Sequence, residues 1–298
     1  MSSKPAQAVL HPARVRPWAD FITLTKPRVN LLVLVTTVIG FHLGNQGDAD
    51  LALLFNTVVG TLLVASGAGA FNQVFERDVD AKMRRTMSRP LPDRRVEVSD
   101  AAWFALALSA AGVLQLWLGA NALAAGVALT TLVLYTLVYT PMKRISSLAT
   151  IVGSVPGALP PVIGWAASNG TLALEAWVLF GIMFFWQMPH VLALSYMFRE
   201  DYARGGIRVL SVEDPDGRST GLQMVNYSAA LVPVSLLPSI IGMAGRLYFA
   251  AAVLLGLAGV VMAVRFARHR SQARARQLFY VSLVYLPVLW VLMLANRA

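Results

Sequence analysis

The stretch LALLFNTVVGTLLVASGAGAF (residues 51–71) runs without a break into NQVFERDVDAKMRRTMSRPLP (residues 72–92). Its first 21 positions hold no charged residue, and its second 21 hold eight. A helix needs about 20 apolar residues to cross a hydrocarbon core about 30 Å thick. The pair therefore predicts a membrane helix that emerges at a densely charged boundary. Eight further windows of the same length and character follow when the chain is scanned outward in both directions. The nine predicted spans are 28–46, 51–71, 99–119, 121–141, 147–166, 172–196, 221–244, 247–266 and 278–296. A membrane β-barrel would show segments of about ten residues with alternating polarity, and Leu, Ala and Val run unbroken here.

Composition agrees. Of 298 residues, 57% are hydrophobic and 13% charged, against roughly 45–50% and about 25% in soluble domains. The absence of cysteine excludes disulfides, thiolate metal sites and a cysteine nucleophile. His11, His42, His190 and His269 are too scattered for a zinc cluster.

The net charge of +10 gains meaning from its placement. With the N-terminus inside, 23 of the 25 Lys and Arg fall on one side of the nine spans, leaving only Arg246 and Arg297 opposite. Lys and Arg concentrate in cytoplasmic loops of true membrane proteins, so this segregation supports nine spans with a cytoplasmic N-terminus and the C-terminus across the membrane. The predicted architecture is an all-α, polytopic membrane protein: a tail over 1–27 and a single nine-helix domain over 28–298. The polar, proline-bearing opening is not expected to be a cleavable signal peptide. A nucleic-acid binder is the least favoured reading, because the basic residues are divided among short loops instead of forming one patch.

Acidic residues share the basic loops, which orientation does not require. Asn72, Glu76 and Asp80 recur every four residues and so lie within about 80° on one helical face. Carboxylates plus an amide oxygen suit Mg²⁺, which commonly bridges protein carboxylates to phosphate oxygens. Lys82, Arg85 and Arg89 follow within three turns, and Arg offers bidentate contacts to phosphate. The pattern suggests a diphosphate site; a salt-bridged, solvated helix extension explains the loop alone about as well. Lys143 and Arg144 open the fifth span, and Gln187 and His190 lie inside the sixth, where polar residues are costly. That span leads out to Arg199, Glu200, Asp201 and Tyr202. His190 also reads as a packed histidine, and Glu200 and Asp201 as partners of Arg199 or Arg204.

These segments resemble the intramembrane UbiA-type prenyltransferases, and within them the branch that acts on protohaem IX. The resemblance rests on TKPRVN (25–30), NQVFERDVDAKMRRT (72–86), YTPMKR (139–144), GALPPVIGW (157–165), WQMPH (186–190) and REDYARGGI (199–207). It implies nine helices around a central cavity capped by cytoplasmic loops in a bacterial-type inner membrane. It also implies Mg²⁺, with farnesyl diphosphate and haem b as substrates and haem O and diphosphate as products. Carried onto this chain, the first metal motif is Asn72, Glu76 and Asp80, with Asp78 as its neighbouring acid. The diphosphate-binding residues are Lys82, Arg85, Lys143 and Arg144. A second metal motif is reduced to Glu200 and Asp201, since Phe198 and Tyr202 stand where acids would. His190, with Trp186, is the candidate for haem contact. Membrane lipid is an expected partner, and a haem A synthase or terminal-oxidase assembly partner is compatible with the product. The rivals are a related prenyltransferase with an aromatic, quinone-precursor or chlorin acceptor, and a transporter or lipid-binding protein with a basic vestibule. The last gives no reason for the Asn72, Glu76, Asp80 column.

Overall fold

A computed structural model describes residues 17–45, 47–48 and 50–297. Its helices are α1 (Pro17–Leu24), α2 (Pro27–Gly44), α3 (Leu51–Asp80), α4 (Val98–Gly119) and α5 (Ala122–Val133). The last continues through a π-helical turn, Leu134–Tyr139, into α6 (Thr140–Met142). After these come α7 (Ala149–Ala158), α8 (Pro160–Asn169), α9 (Leu174–Met197), α10 (Arg199–Gly205), α11 (Leu210–Glu213), α12 (Arg218–Ile240), α13 (Arg246–Arg268) and α14 (Gln272–Ala295). No strand occurs among the described residues.

Each predicted span has its helix, α5 to α6 and α7 to α8 each forming one crossing. Among the described residues, eight crossings are long and apolar enough to traverse a membrane. The remaining one, α12, has 23 residues, and its interior Gln223, Asn226, Pro233 and Pro238 dilute its apolar character. Many large apolar side chains point outward, Leu118 and Leu254 among them, as a lipid-facing surface requires. The protein is an integral membrane protein. Boundaries differ from the sequence reading, as at α14, which begins at Gln272, six residues before 278. The tail expected over 1–27 contains α1, and α3 continues nine residues past Phe71 to Asp80.

Small residues draw the helices together. A Cβ at Gly40 would lie 1.9 Å from the Pro161 carbonyl oxygen, and one at Gly164 1.9 Å from that of Thr37. The backbones of α2 and α8 are therefore in direct contact, the usual device where packing rather than water exclusion joins membrane helices. Gly60 and Gly112 do the same for α3 and α4. At the end away from the basic loops, the Arg297 guanidinium donates to the carbonyls of His42 and Leu43, both at 2.8 Å, tying the last helix to the end of α2.

Two local features aim side chains at the other end. Between α1 and α2, Lys26 adopts the left-handed conformation (φ 54°) immediately before Pro27, which a non-glycine residue holds only when its surroundings fix it. They do: Gln73 donates to the Leu24 carbonyl (2.9 Å), Asn30 to that of Thr25 (2.7 Å), and Asp20 of α1 pairs with Arg95. In the fourth crossing, Pro141 has no N–H to continue the α-helical ladder. The helix widens just before it, the Thr140 N–H reaching the Tyr135 carbonyl, and π-turns of this kind often mark functional sites.

Candidate active site

The last turns of α3 place Asn72, Glu76 and Asp80 in one buried row, as their spacing required. Each member meets a cation from a different element. Lys26 donates to the Asn72 side-chain oxygen, Lys143 Nζ lies 2.8 Å from Glu76 Oε1, and an Arg89 guanidinium nitrogen lies 2.7 Å from Asp80 Oδ2. Thr140, presented by the π-turn, accepts from Asn72 Nδ2 at 3.2 Å, which leaves the Asn72 oxygen facing Lys26. Thr86 donates to the Asp80 backbone carbonyl at 3.0 Å and folds the loop back over the row. Asp80 Oδ1 is buried and has no hydrogen-bond partner.

The row opens into a cavity of about 910 Å³ lined also by Arg85, Tyr139, Tyr202 and Ser195. The Arg85 guanidinium sits over the Phe198 and Tyr202 rings, 5.5 and 5.9 Å from their centroids, and Lys143 Nζ lies 4.4 Å from that of Tyr139. Burial, with Arg89 and Lys143 close by, pulls the Lys26 ammonium down to about 7. A buried site crowded with cations is set to receive a multiply charged anion, because that anion restores the charge balance.

A second, apolar chamber of about 750 Å³ adjoins this cavity toward the membrane interior. Lys26, Val29 and Tyr135 line both. The combined space is a polar head compartment joined to an oily one, suited to an amphiphile with an anionic head and a hydrocarbon tail.

Several residues expected at the site lie elsewhere. Asp78 is exposed and pairs with Arg77 at 2.8 Å. Lys82, Arg144 and Glu200 are exposed and outside the cavity lining, Arg144 donating to the Phe75 carbonyl at 3.2 Å. Asp201 serves the loop. Its carboxylate accepts from the backbone N–H groups of Arg84 (2.9 Å) and Arg85 (3.2 Å) and pairs with Arg204. Burial pushes this carboxyl up, but those hydrogen bonds outweigh it and hold it below the usual carboxylate range. Among the described residues no three His, Asp or Glu side chains gather as a metal cluster, so the α3 row and the Glu200, Asp201 pair do not converge. His190 and Trp186 face α14. The His190 ring stacks on Trp186 and Phe279, with Nδ1 2.8 Å from Ser282 Oγ, and Trp186 donates to the Ser282 carbonyl at 2.7 Å.

Lys26 is the member of the cation set that the sequence reading left out, and Arg89, named there beside the row, was not among the residues carried over as diphosphate-binding. The signal for Lys26 was the Lys-Pro pair opening the first span at its basic end. Arg208, in the segment after α10, gives its N–H to the Lys143 carbonyl at 2.8 Å and so fixes the backbone beside that lysine.

The sequence profile of the UbiA prenyltransferase family matches residues 33–292. The chain belongs to that family. It is 49% identical over 287 residues to the protoheme IX farnesyltransferase of Solibacter usitatus, covering 93% of this chain and 98% of the relative. To the enzyme of the same name from Myxococcus xanthus it is 42% identical, covering 94% and 95%. Among solved structures, a digeranylgeranylglyceryl phosphate synthase superposes with a TM-score of 0.80 at 14% identity, covering 94% of this chain and 98% of that one. A UbiA homologue from Archaeoglobus fulgidus, bound to DMAPP and Mg²⁺, superposes with a TM-score of 0.67 at 15% identity, covering 92% and 99%. These likenesses establish the UbiA fold, and the chain is a prenyltransferase of this family.

Proposed function

We propose that the enzyme transfers the farnesyl group of farnesyl diphosphate to a vinyl group of haem b, giving haem O and diphosphate. The observation that carries this reading is the junction of the cation-lined cavity with the apolar chamber at Lys26, Val29 and Tyr135. The choice of acceptor and prenyl chain follows the name shared by relatives up to 49% identical over nearly their whole length.

The residues present fit a magnesium ion. Asn72, Glu76 and Asp80 offer hard oxygens in one row, and Asp80 Oδ1 is a buried oxygen still lacking a partner. When bound, the metal would neutralise charge on the diphosphate and polarise its bridging oxygen. Lys26, Lys143, Arg89 and Arg85 are the proposed diphosphate contacts, with exposed Lys82 and Arg144 as outer capture sites. Because these cations are held in place before substrate arrives, they stabilise charge on the leaving group without reorganisation. The farnesyl C–O bond then breaks, the diphosphate taking the electron pair. The apolar chamber keeps water from the allylic cation. Tyr135 and Tyr139 stand beside the junction, each face able to contribute about 0.5–2 kcal/mol to a nearby cation. The terminal vinyl carbon bonds to C1 of the farnesyl group. Water adds to the vinyl carbon next to the porphyrin and releases a proton. We assign Asp201 to holding the loop of Arg84 and Arg85, and place the site at the cytoplasmic face on the strength of the charge asymmetry.

The test uses purified protein in nanodiscs with haem b, farnesyl diphosphate and Mg²⁺, read by mass spectrometry. Hydroxyethylfarnesyl haem that disappears on chelation is the expected product. Prenylation of a different acceptor with haem left intact would overturn the haem assignment.

A further inference from the structure

The polar cavity has two unlike walls. Its charged residues come from α3 and the loop after it, from Lys26 and from Lys143, whereas the side built by α7 and α9 presents Ala149, Thr150, Val191 and Ser195 and no charge. A diphosphate drawn to the cations leaves this uncharged side free. Behind it lies a third space, a groove of about 410 Å³ between α7, α9 and α12. α7 and α12 both pack on α9 but hardly on each other, and the groove is the gap between them.

Met188 and Leu192 of α9 floor the groove, Leu148 and Ile151 of α7 form one side, and Gln223 and Tyr227 of α12 the other. On α9 the cavity residues Val191 and Ser195 each lie three positions after a groove residue, about 60° around the helix. Adjacent faces of one helix therefore serve the two spaces. On α7 a single residue, Thr150, lines both. The groove is open on its outer side, where Leu148 is 57% and Ile151 36% exposed, while Thr150 behind them is buried. The floor is set in advance: the Ser154 hydroxyl lies 2.8 Å from the Thr150 carbonyl and 3.0 Å from the Met188 sulfur, holding the thioether beneath α7. A mainly apolar trough with an amide and hydroxyls at its edges suits the rim of a flat amphiphile better than it suits an ion.

We propose that the prenyl acceptor docks from the bilayer into this groove, one edge of its ring system over Met188 and Leu192, and presents its reactive substituent to the cavity past Thr150. The ligand class is a flat, largely apolar ring system with polar substituents. The proposal rests on the prenyltransferase reading above, under which that acceptor is haem b. It puts the two substrates on opposite walls, the diphosphate on the cations and the acceptor between α7 and α9, so that the carbons to be joined meet in the cavity between them.

The chain has no cysteine, so an introduced thiol reports on one place. Leu148→Cys marks the mouth of the groove, and Trp103→Cys, at a 70% exposed position near the start of α4, is the control at the same end of the bundle. Maleimide labelling of each is timed in nanodiscs alone, with haem b, and with farnesyl diphosphate and Mg²⁺. At haem about ten times its Kd, simple occupancy leaves about one site in ten open. Haem b should therefore slow labelling of the Leu148→Cys thiol about tenfold and leave the Trp103→Cys thiol unprotected, and farnesyl diphosphate should protect neither. Thr150→Leu should weaken haem binding, read by absorbance titration, about tenfold without a matching loss for farnesyl diphosphate; a purely structural defect would weaken both ligands. If haem leaves the Leu148→Cys thiol unprotected, or protects both thiols alike, while the wild type still prenylates haem, the groove falls and the enzyme reading stands. If the wild type neither binds nor prenylates haem b, both fall.

Discussion

Lys143→Met keeps most of the volume of the side chain and removes its charge. In the structure Lys143 Nζ is 2.8 Å from Glu76 Oε1, 4.4 Å from the Tyr139 ring centroid, and only 15% exposed. A unit charge at about 4 Å in a site of effective dielectric about 20 is worth roughly 4 kcal/mol. Each 1.36 kcal/mol is about tenfold in rate, so complete loss of that interaction with the leaving diphosphate corresponds to about a thousandfold in kcat. Loss of one preorganised donor elsewhere costs a comparable 10²–10³. The assay is single-turnover formation of prenylated product at saturating Mg²⁺, with folded protein quantified by size exclusion. A double-mutant cycle with Glu76→Gln then separates two routes of action. If Lys143 works by touching the diphosphate, its loss still slows the reaction in the Glu76→Gln background. If it only positions Glu76, the second substitution adds nothing. Lys143→Met turnover within about threefold of wild type, in comparably folded protein, would refute the cation argument altogether.

Asp80→Asn and Glu76→Gln should each leave the protein folded and raise the Mg²⁺ concentration for half-maximal turnover at least about tenfold, read by metal titration of activity. Gly164→Ala should destabilise by about 3 kcal/mol or more, since its methyl would stand 1.9 Å from the Thr37 carbonyl oxygen; a thermal melt in detergent unchanged from wild type would contradict the backbone contact. His190→Phe should leave haem affinity and turnover near wild type, because the ring lies between Trp186 and Phe279 and bonds Ser282; weakened haem binding by absorbance titration would assign it a haem contact. Asp201 has its carboxyl held low in the folded state, so its stabilisation is present above the ordinary carboxylate pKa and is lost as pH falls through the lowered value. The melting-temperature gap between wild type and Asp201→Asn should accordingly be widest near neutral pH and close in acid.

The crossings were legible because lipid imposes one strong constraint: every backbone polar group in the core must bond within its own helix. That constraint writes runs of about 20 apolar residues, and the Lys and Arg gather at one end of them. The one crossing of low apolarity is α12, whose Asn226 and Pro233 are exposed; the charge pattern agreed with counting it as a span. The Asn72, Glu76, Asp80 row was legible because α3 is regular there and period-four spacing becomes a face. Which cation pairs with which member was not, although Lys143 and Arg89 were named from the sequence, since Lys26, Arg89 and Lys143 come from three separate elements and meet only through the left-handed turn, the Thr86 fold-back and the π-turn. The contacts of Asp201 were hidden for a related reason: the two backbone N–H groups that bond its carboxylate, those of Arg84 and Arg85, lie more than a hundred residues earlier in the chain.

The Arg297 clasp bears on how the molecule breathes. One guanidinium holds the carbonyl end of α2 to the terminus of α14, so first and last helices cannot part at that end without leaving bonded groups stranded. The clasp lies opposite the rim where α1 and the charged loops meet, so the bundle is stitched at its base, away from the row of Asn72, Glu76 and Asp80.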